Sequence, residues 1–271
     1  MKGSSRLSLL PVLLLGALLL SPVPARADHG GPNPSEGVDF KQRLEAYLPL
    51  DLGFTDENGQ AVRLGDYFGQ KPVILVFAYY ECPMLCTLAL NDLTAALQEV
   101  DFQVGDEFEV LTVSIDPGEG PALARQKKDA YLQSLGQPGA EAGWHFLTGE
   151  QAAISALAGS AGFEYRYLED EDEYAHPTGV VILTPEGQIS RYILGIGYNA
   201  NDIRLGLVDA AGRKIATLVD QFYLLCYQYD PVTGRYNLLI HRVLQAGGIL
   251  TALGLGMAVF FLRKAERGVS P

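Results

Sequence analysis

Apolar residues recur along this chain in three rhythms. From Val73 to Ala78 they run unbroken after Pro72 as Val-Ile-Leu-Val-Phe-Ala, the β-branched and aromatic pattern of a strand buried on both faces. Beyond Cys86 the period lengthens, and Leu88, Leu90, Leu93, Leu97 and Val100 fall near helical spacing. Phe108 to Ile115 alternates apolar and polar residues into Asp116-Pro117-Gly118, a strand ending in a turn. Pro121, tolerated in a first helical turn, opens a helix through Leu135. Trp144 to Leu147 reads as a short strand and Glu150 to Leu157 as a helix. Val180 to Leu183 and Ile189 to Ile196 are two strands joined at Pro185-Glu186-Gly187-Gln188. Asn201 caps a helical pattern that continues to Leu225. Upstream, Leu52 to Leu64 surrounds Asp56-Glu57-Asn58-Gly59, a hairpin turn. Strand, helix, strand, helix, then a closing hairpin and helix predict an α/β domain with a parallel core extended by an antiparallel edge.

The two ends follow different rules. Lys2 and Arg6, a leucine-rich stretch from Leu7 to Leu20 and then Ala25-Arg26-Ala27 make the three parts of a secretory signal peptide over residues 1–27. Residues 28–49, which open with a Gly- and Pro-rich stretch, read as a flexible leader. The folded domain is expected over 50–228, with a juxtamembrane linker at 229–242. Val243 to Leu262 is apolar apart from Gln245 and Thr251, close to the roughly 20 residues that a transmembrane helix needs. Arg263, Lys264 and Arg267 follow at once, which puts the 263–271 tail in the cytoplasm. The expectation is a single-pass protein of the cell inner membrane with its domain on the periplasmic side. A net charge of -12 argues against nucleic acid as a partner. The block Glu169 to Glu173 reads as a solvated acidic loop.

The chain has three cysteines, and two of them, Cys82 and Cys86, are separated by Pro83-Met84-Leu85 directly after the unbroken strand. They therefore sit on a strand-to-helix turn, with Cys86 in the first helical turn. Unpaired amides and the positive dipole end there favour thiolate. Thiolates serve as redox nucleophiles or soft-metal ligands, and export allows a resting disulfide; two buried structural thiols are the plainer reading. Reactive cysteines at the end of the first core strand suit a thioredoxin-like fold with an added N-terminal hairpin. Of the four histidines, His29, His145 and His241 read as ordinary surface or core residues. His176 precedes Pro177 in the loop entering the closing hairpin, and in such a fold that loop approaches the cysteine turn. Two thiolates and an imidazole would suit Cu(I), whereas tetrahedral zinc would want a fourth ligand. Met84 reads as packing or a contact surface, Asp116 as a turn-forming carboxylate and Cys226 as a buried structural thiol.

Phe77 to Tyr80, Cys82-Pro83-Met84-Leu85-Cys86, Val113-Ser114-Ile115-Asp116-Pro117, Trp144 to Gly149, and His176 followed by Leu183-Thr184-Pro185-Glu186-Gly187 carry a resemblance. The region from Leu50 to Leu225 is similar to the Sco/SenC family of thioredoxin-like copper-binding assembly proteins. The resemblance implies that Cys82, Cys86 and His176 bind copper, as Cu(I) or alternatively Cu(II). It also implies a partner in the copper A subunit of cytochrome c oxidase or another copper-dependent respiratory enzyme. Three features depart from the family pattern: the C-terminal anchor, Ala175 where an Asp often precedes the histidine, and Gly118-Glu119-Gly120-Pro121 after the Asp-Pro turn. A metallochaperone is the leading expectation, and that is not an enzyme. Its rival is a thiol-disulfide oxidoreductase that uses Cys82 and Cys86 alone to reduce the acceptor's cysteines. A peroxidase would want an activating Arg, and none lies near Cys82 or Cys86 in sequence. A non-catalytic redox or copper sensor is the remaining class.

Overall fold

The computed structural model describes residues 37–82 and 85–212, with 227–230, 235–238 and 247–257; the side chains of residues 85, 86, 227–230 and 235–238 are not among those described. The expected signal peptide and the start of the leader lie outside the described residues. In chain order the elements are β1 Asp39–Phe40, β2 Gly53–Thr55, β3 Ala61–Arg63, β4 Val73–Ala78, α1 Leu85–Glu99, β5 Glu109–Ser114, α2 Pro121–Leu135 and β6 Trp144–Leu147. They continue with α3 Gln151–Ser160, β7 Phe163–Glu164, β8 Arg166–Leu168, β9 Glu173–Ala175, β10 Gly179–Leu183, β11 Ile189–Leu194, α4 Ala200–Ala210, β12 Tyr227–Asp230 and β13 Arg235–Leu238.

The unbroken apolar run decides where the core sits. Every residue of β4 is buried, because the strand lies in the middle of a five-stranded sheet of order β11-β10-β4-β5-β6. β4 runs parallel to β5, from Val73 opposite Glu109 to Ala78 opposite Ser114, and β5 runs parallel to β6. On its other side β4 pairs antiparallel with β10, with Val76 opposite Val180, and β10 forms a hairpin with β11. The parallel core and antiparallel edge are as the periodicity predicts. α1 packs between α2 and α4, α2 reaches β6, and α4 lies on β10 and β11, giving a helical layer across the sheet. Elsewhere in the core Phe77 stacks on Phe163 at 4.6 Å, and Phe163 meets Phe40 edge-on at 5.2 Å.

α2 occupies the predicted span. Pro121 lies in its first turn and Gly136, at φ 67°, caps its end in the left-handed region. β2 and β3 form the predicted hairpin.

Three expectations need correction. Residues 39–49 are not a flexible leader: buried Phe40 and Leu48 anchor them, β1 pairs with β7, and the Glu45 and Leu48 amides donate to Ile189 and Gly187 carbonyls at 2.9 and 3.0 Å. The last predicted helix does not run from Asn201 to Leu225. Asn199 caps it, accepting from the Asn201 amide at 2.8 Å, and it stops where Gly212 takes φ 61°; residues 213–225 lie outside the described residues. The expected linker at 229–242 begins with strand, because β12 and β13 pair antiparallel. The acidic block stands as the solvated loop expected over residues 169–172, which form an exposed turn, and Glu173 opens β9 of the hairpin that this turn closes. Of the expected membrane span, residues 247–257 are helical and the rest lies outside the described residues; no helix among the described residues is long and apolar enough to cross a membrane.

Candidate metal centre

The cysteine turn hangs from β4, the fully buried central strand of the sheet. As β4 ends, the Ala78 carbonyl accepts from the Ile115 amide at 2.9 Å, keeping the exits of β4 and β5 side by side. Tyr80 is buried, and its hydroxyl lies 3.0 Å from the Thr112 carbonyl and 2.8 Å from that of Leu147. This ties the start of the turn to β5 and β6. Cys82 is buried at 6% exposure. Its amide donates to the Tyr79 carbonyl at 3.4 Å, and its own carbonyl accepts from Thr87 Oγ1 at 3.1 Å. Pro83 and Met84 lie outside the described residues. Leu85 opens α1 and Cys86 is its second residue.

His176 is delivered to the same end of the sheet by strand register. Because β10 runs antiparallel to β4, the start of β10 lies beside the exit of β4, and His176 stands between β9 and β10. The imidazole is buried at 7% exposure. It meets Tyr79 edge-on, ring centroids 6.0 Å apart, and packs on Phe163 at 6.0 Å. Nδ1 lies 2.9 Å from the Pro177 carbonyl. That contact calls for a proton on Nδ1 and leaves the lone pair on Nε2, a tautomer inferred from the acceptor and suited to ligation through Nε2. Tyr79 thus touches the histidine with its ring while its carbonyl holds the Cys82 amide. Cys82, the backbone of Cys86 and His176 converge on one end of the sheet.

Among the described residues no group of three or more His, Cys, Asp or Glu side chains is placed to hold a metal; the Cys86 side chain lies outside them. Met84, His29, His241 and Cys226 also lie outside the described residues. His145 sits elsewhere, near the start of β5, with Nε2 3.8 Å from Glu109 Oε2 and its ring 4.5 Å from that of Tyr67. A cleft of about 470 Å³ opens beside it, lined in part by Glu57, Asp66, Tyr67 and Lys128, far along the strands from the cysteine turn.

Two carboxylates border the turn. Asp116 shapes its own loop, with Oδ1 accepting from the Gly118 amide at 2.7 Å, and it also lies 3.4 Å from the Tyr174 hydroxyl. Burial, with Asp116 adding to it, pushes the Tyr174 phenol up to about 12. Sequence reasoning missed Glu119, noticed there only as a departure from a motif. It is buried, and Oε1 accepts from the Glu81 amide at 2.8 Å, one residue before Cys82. Burial raises the Glu119 carboxyl above the usual range, with the Ser114 hydrogen bond opposing and Asp116 adding to the rise. The available signal was an acidic residue just after the Asp-Pro turn of a core strand.

A model of the SCO1/SenC family matches residues 42–204. A curated relative, the mitochondrial SCO2 homolog of Bos taurus, is 26% identical over 164 residues, covering 56% of this chain. The chain spans 58% of that relative's length. Among solved structures, a candidate electron transfer protein from Aquifex aeolicus VF5 superposes with a TM-score of 0.56 at 27% identity, covering 64% of this chain and 98% of that one. A SCO1/SenC family lipoprotein from Bacillus anthracis str. Ames shares the fold, with a TM-score of 0.50 at 18% identity over 64% of this chain and 99% of its own. The family match covers more than half of the sequence and contains the cysteine turn and His176, and the chain belongs to the SCO1/SenC family.

Proposed function

We propose that this protein carries copper: Cys82, Cys86 and His176 bind Cu(I) and pass it by ligand exchange to the copper A centre of cytochrome c oxidase. The observation that carries this reading is the packing of His176 on Tyr79, whose carbonyl holds the Cys82 amide. Two sulfur donors and one imidazole form a soft, under-coordinated set that fits Cu(I) and leaves room for an acceptor's ligand. The copper is cargo, so the site has to release it as readily as it takes it up. Family membership supports the same reading. The signal pattern at 1–27 and the apolar run at 243–262 with its basic tail support export and anchoring in the inner membrane, domain outside.

The competing function, reduction of the acceptor's cysteines, needs only Cys82 and Cys86. His176→Ala separates the two. In reduced, anaerobic full-length protein this variant is expected to weaken Cu(I) retention, measured by chelator competition, at least about tenfold, a loss that even outer-shell substitutions cause. Copper A assembly in cells should fail in parallel. Normal assembly in cells by a His176→Ala protein that has lost Cu(I) binding in vitro would falsify the carrier reading and leave the redox one.

A further inference from the structure

Glu119 bridges two elements that meet at the candidate centre. It sits between β5 and α2, buried, with its amide donating to the Asp116 carbonyl at 3.3 Å. Its side chain leaves that loop for the cysteine turn. Oε1 accepts from the Glu81 amide at 2.8 Å, and Oε2 accepts from Ser114 Oγ at 2.5 Å. Ser114 is the last residue of β5 and is completely buried, so the carboxyl is gripped by the sheet on one side and grips the turn on the other. Ser114 Oγ also accepts from the Asp116 amide at 3.1 Å and lies 3.2 Å from the Asp116 carbonyl, and its single hydrogen favours the shorter, charge-assisted contact to Glu119. The Cys82 amide next to it makes a long bond of 3.4 Å to the Tyr79 carbonyl, near the outer limit for an N–H···O contact.

We propose that Glu119 is the positioning residue of the cysteine pair: its side chain ties the Glu81 amide to the end of β5 and so fixes the backbone that presents Cys82 to Cys86. The proposal rests on the reading that this pair is the functional site. What it adds is a requirement for reach: the side chain must span from Ser114 to Glu81, and its charge is secondary. Two sulfurs close into a disulfide only within a narrow range of separations and dihedral angles. A turn that wanders therefore lowers the effective concentration of one thiol at the other.

The test uses an exchange that involves no metal: the protein dithiol and one oxidised glutathione give the Cys82–Cys86 disulfide and two reduced glutathiones, the two electrons passing from the cysteines to glutathione. Its equilibrium constant is read by mass spectrometry of the full-length protein in detergent. Glu119→Asp keeps the charge and shortens the reach by one methylene; it is expected to lower the constant about tenfold, a shift of 29.6 mV for this couple. Glu119→Gln keeps the reach and removes the charge; it should stay within about twofold of wild type, under 10 mV on the same scale. If Glu119→Asp does not fold, Ser114→Ala takes its place, with the same direction expected. An unchanged Glu119→Asp, or a Glu119→Gln that shifts as far as Glu119→Asp, overturns the proposal. Because no copper enters this equilibrium, a wild-type protein that fails to bind Cu(I) would remove the carrier function and leave the positioning result standing.

Discussion

Tyr80, two residues before Cys82, has one hydroxyl proton to share between the carbonyls of Thr112 and Leu147. Burial keeps its phenol well above the ordinary value and hence neutral. Tyr80→Phe leaves the ring packing intact and removes only that proton. The expected cost is about 1–3 kcal/mol, the range for a buried polar group losing its partner, measured by urea unfolding. Glycines show how one backbone angle can carry two different costs. Gly136 and Gly162 both take φ 67°. A Cβ at Gly136 would meet nothing within 4 Å, whereas one at Gly162 would lie 1.9 Å from the Lys41 carbonyl oxygen. Gly136→Ala should therefore cost about 1–2 kcal/mol from the left-handed backbone alone, and Gly162→Ala clearly more, because β1 must move away from β7. Equal melting temperatures for the two variants would contradict the clash. At this scale the cysteines and His176 stand out in the sequence as candidates because thiols and imidazoles are rare in the chain. Glu119 was not, since nothing local to an acidic loop residue says that it will be buried against a distant amide.

Between elements, the most exposed wager of the fold is a buried ion pair. Lys128 Nζ of α2 lies 2.5 Å from Glu57 Oε1, in the turn between β2 and β3, and the side chains are 6% and 3% exposed. Glu57 Oε2 also accepts from the Phe146 amide of β6 at 3.2 Å. The pair thus fastens the N-terminal hairpin to α2 and the sheet edge. Lys128→Met leaves a buried carboxylate without its cation and should cost about 3–5 kcal/mol, while adding Glu57→Gln should restore much of the loss. A chemical-denaturation double-mutant cycle measures both. Burial pushes the Glu57 carboxyl up, but the Lys128 hydrogen bond and charge together with backbone amide hydrogen bonds outweigh it, so it ends below its ordinary 4.5. A depressed folded value means stability that is present above the unfolded value and lost as pH falls through the folded one. The wild-type protein should therefore lose stability on acidification below about pH 4.5, and the double mutant should lose less over the same range. The strands and α2 were legible because their periods, Pro121 and Gly136 are local signals. The extent of α4 was misread because apolar spacing continued past Gly212, where the backbone leaves the helix.

For the whole molecule, the proposed topology makes one clear prediction. A reporter active only in the cytoplasm, fused after Pro271, should be active, as the basic residues after Leu262 require; an inactive but well-expressed fusion would reverse the proposed orientation. The sequence by itself determined the order of the elements that build the five-stranded sheet, its parallel core and the placing of two cysteines on a strand-to-helix turn. Each of these follows from side-chain period and turn chemistry within a few residues of chain. The closeness of His176 to that turn was inferred from an assumed fold, and only the antiparallel register of β10 against β4 established it. Tertiary structure alone decided that residues 39–49 belong to the domain, that the acidic block joins two strands, and that Glu119 reaches the Glu81 amide. Those contacts join residues far apart in the chain. Their stability comes from burial and hydrogen bonding between surfaces that meet only once the sheet has formed, and no local pattern encodes them.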